Sequence, residues 1–157
     1  MSDIKFKSVG KTSQMQLATA LTGSVIPIGI MTPMRHGNNA EGIYAMHTAL
    51  RDQIADNFRN LLSTNKGERL IFSDLGADLR PLTFEIINSQ FDFDEEAINR
   101  IKSTVQKYMP FIELVSFNST IDNHDNLHTG KIDINVVYNI PSLSVAEEKV
   151  IITMYIV

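Results

Sequence analysis

Residues 60–79 read NLLSTNKGERLIFSDLGADL, and the character of the chain changes three times along this stretch. The apolar end of a helical pattern runs into a charged corner, NKGER, which is followed by the apolar LIF and a Ser-Asp-x-Gly turn. Glycine readily adopts the positive φ that ends a helix and reverses the chain. We therefore expect a helix that ends near Gly67 and a short strand over 68–72. A compact turn over 73–81 should follow, in which Gly76 can take a positive φ.

The chain before this corner has the period of an amphipathic helix over residues 43–63. Apolar side chains recur at steps of three or four residues, and charged side chains occupy the other side. The predicted inner stripe is Met46, Leu50, Ile54, Phe58, Leu61 and Leu62, and the predicted outer side is Arg51, Asp52, Asp56 and Arg59.

Two further elements are predicted on either side of this helix. SVIPIGIMTP, at 24–33, is broken by two prolines, which indicates an edge strand or an extended segment. A second helix is predicted over 94–109, where Asp92 or Asp94 can cap the first turn and Pro110 ends the helix. Its expected inner stripe is Ala97, Ile98, Ile101, Val105 and Tyr108.

The last third of the chain has the alternating pattern of β-strands. The predicted strands cover 111–121, 131–140 and 149–157, joined by DNHDNLHTG and PSLSVAEE. We expect an α+β fold with helices packed on one face of a small mixed or antiparallel sheet that ends in a three-stranded meander. Residues 1–25 are predicted to form an arm or a poorly ordered segment, and residues 26–157 a single domain.

The final predicted strand ends in VIITMYIV, eight uncharged residues rich in β-branched and aromatic types. Such a strand would promote aggregation if it lay uncovered at a sheet edge. Either it is the central strand of its own sheet, or a strand of another chain pairs with it by β-augmentation. The sequence is compatible with both arrangements.

The composition of the 157-residue chain excludes several classes of protein. It contains no Cys, so disulfides and thiol chemistry are excluded. The net charge of −4 and the lack of a basic cluster argue against nucleic acid as a partner. No run approaches the roughly 20 apolar residues that cross a bilayer, and the first residues lack the apolar core of a signal peptide. We therefore expect a protein made in the cytoplasm, with no membrane partner.

Two patterns suggest ligand binding, and neither is complete. GKT at 10–12 has the residues that end a phosphate-binding loop, but Lys5 stands where that loop needs a glycine. A polar loop has residues at a spacing found in metal sites: His124 and His128, with Asp122 and Asp125 nearby. Such residues are common in loops, and no second shell is evident, so we expect neither a metal nor a cofactor. His36 and His47 are expected to be solvated or packed.

Carboxylates in and after the corner raise the alternative of a glycoside hydrolase that acts on peptidoglycan. Such hydrolysis needs two carboxyl groups held roughly 5–9.5 Å apart across a cleft. The candidates are Glu68, Asp74, Asp78 and Glu85. Because no cleft is indicated, and small α+β domains without a pocket signature are usually binding modules, we expect no enzymatic activity. A free-standing binding module is a further alternative.

The corner and its flanks also resemble a known family. The shared pattern is a helix that ends in Asn-Leu-Leu, then Thr-Asn-Lys-Gly-Glu-Arg, a short strand and Asp-x-Gly-x-x-Leu; the upstream IPIGIMTPMRHG at 26–37 is similar as well. On these residues the chain resembles the baseplate wedge proteins of contractile phage tails, long labelled lysozyme-like, and their type VI secretion counterpart. The matching residues are Asn60, Leu61, Leu62, 64–69, Asp74, Gly76 and Leu79.

This resemblance implies a structural subunit located in the tail baseplate of a virion. Members of the family form the wedge, and their sheet, which is similar to the handshake domain of the sheath subunit, receives strands from the first ring of sheath subunits. The implied partners are sheath subunits and wedge core-bundle proteins, with central hub or tube-side proteins as further candidates. The implied partner-binding residues are Lys66, Gly67, Glu68, Arg69, Gly76, Tyr108, Met109, Pro110 and Phe111.

One segment departs from the family pattern. Where members carry Tyr-Glu-Pro-Arg-Ile, whose charged pair docks on the core bundle, this chain has YMPFI at 108–112. Met109 and Phe111 cannot form a charge-assisted contact. Either the contact here is apolar, with these two side chains filling a groove, or another segment docks.

Overall fold

The computed structural model describes residues 26–37, 43–84, 90–124 and 129–156. It confirms the predicted α+β class, with one antiparallel sheet of two strands and one of three. The elements are β1 Gly29–Ile30, β2 Met46–His47, α1 Leu50–Ser63, a 3₁₀ helix Arg80–Thr83, α2 Gln90–Tyr108, β3 Glu113–His124, β4 Thr129–Ile140, a 3₁₀ helix Pro141–Leu143 and β5 Val145–Ile156. The chain divides into two compact units between Asp56 and Asn57, within α1. The predictions for residues 1–25 lie outside the described residues.

In the first unit, the proline-broken segment around β1 pairs antiparallel with the segment around β2. Ile28 N–H donates to the His47 carbonyl at 2.8 Å, and Met31 N–H donates to the Ala45 carbonyl at 3.0 Å. The prediction of an edge strand or an extended segment is therefore confirmed for the described part of 24–33, with a regular strand of only two residues.

This pairing corrects the predicted start of the first helix. The helix begins at Leu50 rather than at residue 43, because the backbone over 43–47 bonds to the segment around β1 and cannot also form helical hydrogen bonds. Met46 is therefore in a strand, and Leu50 is 47% exposed. The rest of the predicted inner stripe is buried as expected: Ile54, Phe58, Leu61 and Leu62.

Asp56 is predicted on the outer side of α1, but it is buried and bound to a histidine. His47 Nε2 lies 2.6 Å from Asp56 Oδ2, and Thr32 N–H donates to the same oxygen at 2.8 Å. Burial on its own raises the pKa of the Asp56 carboxyl, but the hydrogen bonds from His47 and Thr32 outweigh it and hold that pKa below its ordinary value. This contact joins three segments of the first unit.

In the second unit, β3, β4 and β5 form the predicted antiparallel meander, with β4 in the centre. Along β4, buried side chains alternate with partly exposed ones, and the buried set is Ile132, Ile134, Val136, Tyr138 and Ile140. Tyr138 packs edge-on against Phe58 of α1, with ring centroids 4.7 Å apart. The predicted stripe of α2 is also directed inward, since Ala97, Ile101 and Val105 are buried and Ile98 and Tyr108 are half-buried.

The last strand lies at one edge of the three-stranded sheet that the described residues form. β4 pairs with both neighbours, and β5 is the end strand in the order β3-β4-β5. Of the two arrangements left open by the sequence, the one with a central final strand is therefore not found among the described residues. β5 is also longer than predicted, because it begins at Val145 and includes the second half of the predicted connection PSLSVAEE.

Two boundaries around α2 also differ from prediction. The helix begins at Gln90, so Asp92 lies in its first turn and Asp94 lies within it rather than at its cap. The Asp94 carboxylate instead accepts a hydrogen bond from the Ser119 hydroxyl of β3. A tertiary contact, which the sequence pattern does not reveal, therefore replaces the predicted cap.

The acid–histidine contact predicts a pH-dependent contribution to stability. Because the folded pKa of Asp56 is lowered, its contribution is fully present above the unfolded pKa of about 3.9 and is lost as the pH falls through the folded pKa. Urea unfolding from pH 7 to pH 2 should show a deficit of about 1–3 kcal/mol in Asp56→Asn at neutral pH. This deficit should shrink below about pH 4.

Asp52→Asn is the matched control, since Asp52 is exposed in the first turn of the same helix. It should leave the free energy of unfolding within about 0.5 kcal/mol of the wild type at every pH. A deficit in Asp56→Asn that stays constant down to pH 2 would contradict the assignment.

Candidate interaction surface

Residues 66–73, which we call the corner loop, form an exposed loop closed by hydrogen bonds. Gly67 N–H donates to the Ser73 carbonyl at 2.6 Å, and Leu75 N–H donates to the Phe72 carbonyl at 3.1 Å. The predicted strand over 68–72 is therefore wrong. No described strand pairs with this run, because the loop closes on itself within a few residues.

The apolar run LIF forms the tip of the corner loop instead of entering the core. Leu70 is 103% exposed, Ile71 is 87% exposed and Phe72 is 62% exposed. Consecutive large apolar side chains in water are unfavourable unless another surface covers them. Lys66 and Arg69 are exposed in the same loop, and neither forms a salt bridge with a residue in the described part of the chain.

Asn65 organises the base of this loop. Its N–H and its side-chain amide both donate to the Glu68 carboxylate, at 2.9 and 2.7 Å, and these bonds lower the pKa of Glu68. The same side chain accepts a hydrogen bond from Arg80 N–H at 3.3 Å. One amide therefore fixes the conformation of the corner and the start of the 3₁₀ helix Arg80–Thr83 together.

Two charged contacts connect the corner to α2. Lys107 binds the Asp74 carboxylate, which lowers the pKa of Asp74 and raises that of Lys107. Arg100 donates to the Asp78 carbonyl at 2.7 Å and lies 3.6 Å from its carboxylate. Because Tyr108 directly follows Lys107, the first contact brings the corner close to the segment that follows α2.

These contacts bear on the hydrolase alternative. A glycosidase needs a carboxylic acid that is still protonated near neutral pH, and this requires a raised pKa. The pKa values of Glu68 and Asp74 are instead lowered, by Asn65 and Lys107 respectively. Asp78 is paired with Arg100, and Glu85 lies outside the described residues. The two lowered carboxylates act as structural hydrogen-bond acceptors.

The segment after α2 divides between core and surface. Met109 is buried and its N–H donates to the Val105 carbonyl at 2.8 Å, so its side chain belongs to the core of the second unit. Tyr108 is half-buried, whereas Pro110 is exposed and Phe111 is 43% exposed. Of the pair expected to fill a groove, Phe111 is therefore the side chain presented at the surface.

Gly76 has a different place from the other corner residues, since it is buried. Its φ is +126°, and a Cβ built there would lie 2.2 Å from the Thr64 carbonyl oxygen. Gly67 has a φ of +87° with open space around it. Both predicted positive φ values are confirmed, but only Gly76 is required for close packing against the end of α1.

The described residues provide no evidence for the metal site suggested by the sequence, and the histidines and helices are arranged as follows. No group of three or more acidic, histidine or cysteine side chains that could hold a metal ion occurs within the described ranges. His128 and Asp125 lie outside those ranges. His36 is exposed, whereas His47 has the Asp56 contact that the sequence did not reveal. Neither α1 nor α2 is long and apolar enough to cross a membrane.

Comparisons with known proteins identify relatives by fold. No family model and no curated protein matches the sequence. A Geobacter sulfurreducens protein assigned as a tail lysozyme matches with a TM-score of 0.54 and 20% identity, covering 72% of this chain and 96% of that chain. A chain from the baseplate of the anti-feeding prophage matches with a TM-score of 0.57 and 16% identity, covering 77% and 90%. At these identities the likeness establishes a shared fold.

The two glycines of the corner predict very different costs for one substitution. Gly76→Ala combines a left-handed φ with a clash against backbone, so we expect it to lower the free energy of unfolding by about 3 kcal/mol or more. Gly67→Ala has only the left-handed φ and should cost about 1–2 kcal/mol. Urea denaturation measures both losses, and equal losses would contradict the close packing at Gly76.

Proposed function

We propose that this chain is a structural, non-enzymatic baseplate subunit of a contractile tail, which docks on the wedge core and templates sheath polymerisation by strand addition. The observation that carries this proposal is the position of β5, a strand of twelve residues, at one of the two edges of the described three-stranded sheet. An edge strand presents a row of backbone N–H and C=O groups that a strand of another chain can pair with.

The composition of β5 supports use of this edge by a partner. Natural edges are commonly protected by proline, lysine, bulges or short length. In β5 the charged residues are confined to the first half, at Glu147, Glu148 and Lys149, and the second half is an uncharged run. Ile151 and Tyr155 are 51% and 66% exposed. An uncharged edge of this length invites association, and addition of a sheath strand would satisfy it.

A second surface supports docking on the wedge core. The apolar tip of the corner loop and Phe111 are exposed, and the Asp74–Lys107 contact brings the loop close to the segment that carries Phe111. A few well-buried anchor residues supply most of the energy of protein interfaces. We assign this surface, rather than Met109, to the apolar contact that replaces the charged dock of the family.

The shared fold with a chain of the anti-feeding prophage baseplate supports the same role. That structure is a multi-subunit baseplate assembly, and a subunit with this fold works there among other proteins. By analogy, we propose that this chain resides in the baseplate of a virion, with sheath subunits and wedge core proteins as its partners.

Strand addition can be tested with two neighbouring proline substitutions in β5, Thr153→Pro and Met154→Pro. Successive N–H groups of a strand point to opposite sides, so one of the two bonds to β4 and the other faces the free edge. The substitution at the ladder position should lower the melting temperature strongly. The other should keep the melting temperature and yet abolish sheath rings when the chain is co-produced with the sheath protein of the same system and imaged by electron microscopy.

The two variants serve as controls for each other, because circular dichroism separates loss of fold from loss of the edge donor. If the variant that keeps its melting temperature also nucleates rings as the wild type does, the edge of β5 is not the template. Absence of rings with the folded wild-type chain would refute the proposed function itself.

A further inference from the structure

A groove of about 330 Å³ lies beside the second half of β5. One wall is formed by the four consecutive residues 152–155. The opposite wall is formed by the end of α1 and by the corner with the start of the 3₁₀ helix that follows it, at Leu62, Ser63, Asn65, Glu68, Leu79 and Arg80.

The residues of the β5 wall indicate the direction in which the groove runs. Side chains of successive residues point to opposite faces of a sheet, so a cavity on one face contacts every second residue. This groove contacts four residues in a row, including the buried Ile152 and the exposed Tyr155. It therefore runs along the edge of β5, in the space that an added strand would enter.

Two opposite charges line the groove, those of Glu68 and Arg80, and the pKa of Glu68 is lowered by the Asn65 hydrogen bonds and, to a smaller extent, by the positive charge of Arg80. Both Glu68 oxygens accept hydrogen bonds from Asn65, so this carboxylate is already satisfied. The Arg80 guanidinium forms no hydrogen bond or salt bridge with any side chain that the structure describes. Lys66 and Arg80 share a second, open recess with Asp78, whose carboxylate lies 3.6 Å from Arg100, and Lys66 forms no salt bridge with the described residues.

We infer that this groove fixes the register of an incoming sheath strand by binding an acidic side chain of that strand at Arg80, with Lys66 beside it. The inference rests on the proposed function, since it needs a strand added to β5. The partner is an extended segment that carries Asp or Glu, because a planar guanidinium matches a carboxylate in geometry and in charge.

A charged anchor of this kind selects the register, which strand addition by backbone hydrogen bonds does not. Backbone hydrogen bonds are the same at every residue, so they supply affinity without selecting a position, and pockets for particular side chains supply specificity. A slip of one residue would place every side chain of the added strand on the wrong face. A single charged anchor in the groove penalises such a slip. The anchor also assigns a role to the charged corner NKGER, because Asn65 connects Glu68 to the backbone of Arg80.

The test reverses the charge at this position in the ring-nucleation assay with the cognate sheath protein. Arg80→Glu should lower the number of rings by about tenfold or more, as expected for loss of a charge-assisted pair and its replacement by repulsion. Arg80→Gln should give an intermediate loss. The matched control is Arg35→Glu, an exposed arginine that forms no salt bridge with the described residues and should nucleate rings normally.

Melting temperatures confirm that each variant is folded, and if Arg80→Glu is not, Arg80→Gln decides the result. Rescue of Arg80→Glu by a single Asp→Lys or Glu→Lys change in the sheath protein would identify the paired residue and support the inference. Ring numbers equal to wild type, or failure of every such reversal to restore rings, would overturn it while leaving strand addition intact. A wild-type chain that is dimeric by analytical ultracentrifugation and becomes monomeric in Arg80→Glu would also overturn it, because a second copy would then be the occupant.

Discussion

Backbone N–H and C=O groups need hydrogen-bond partners, and in the described three-stranded sheet the pairing stops at the two end strands, β3 and β5. The burial of apolar side chains determines how the other strands and the helices are arranged. The alternating apolar residues of β4 need cover on one face, α1 and α2 provide it, and β4 can take the central position only if β3 and β5 both pair with it. The same packing that makes the second unit stable therefore leaves two end strands of twelve residues, β3 and β5, and among the described residues no strand pairs with the outer edge of β5. We assign the function of the molecule to that edge.

The corner residues shape the surroundings of this edge. Gly76 lets the turn pack against the end of α1, and Asn65 holds Glu68 and the backbone of Arg80 in one arrangement. Contacts from Lys107 and Arg100 tie the turn to α2. Exposed ion pairs contribute little stability, so their value here lies in geometry. They keep the apolar tip directed outward and keep the far wall of the groove opposite β5.

The sequence predicted the elements with strong periodicity and failed where tertiary contacts decide. The meander followed from strict alternation in β4, and the inner stripe of α2 followed from helical spacing. The start of α1 did not, because pairing of residues 43–47 with the segment around β1 prevailed over their apparent period. The LIF run was predicted as a buried strand because three apolar residues give too little pattern to separate core from an exposed tip. Arg80 was missed because an arginine next to a proline carries no signal until β5 is seen beside it.

Amide hydrogen exchange along β5, measured by nuclear magnetic resonance with and without the sheath protein, reports on strand addition at the level of single N–H groups. In the isolated chain, protection should alternate from residue to residue, because only every second N–H is bonded to β4. Addition of the sheath protein should protect the remaining amides, and the alternation should disappear. Uniform protection in the isolated chain, or an alternation unchanged by the sheath protein, would show that β5 does not receive a strand from the sheath.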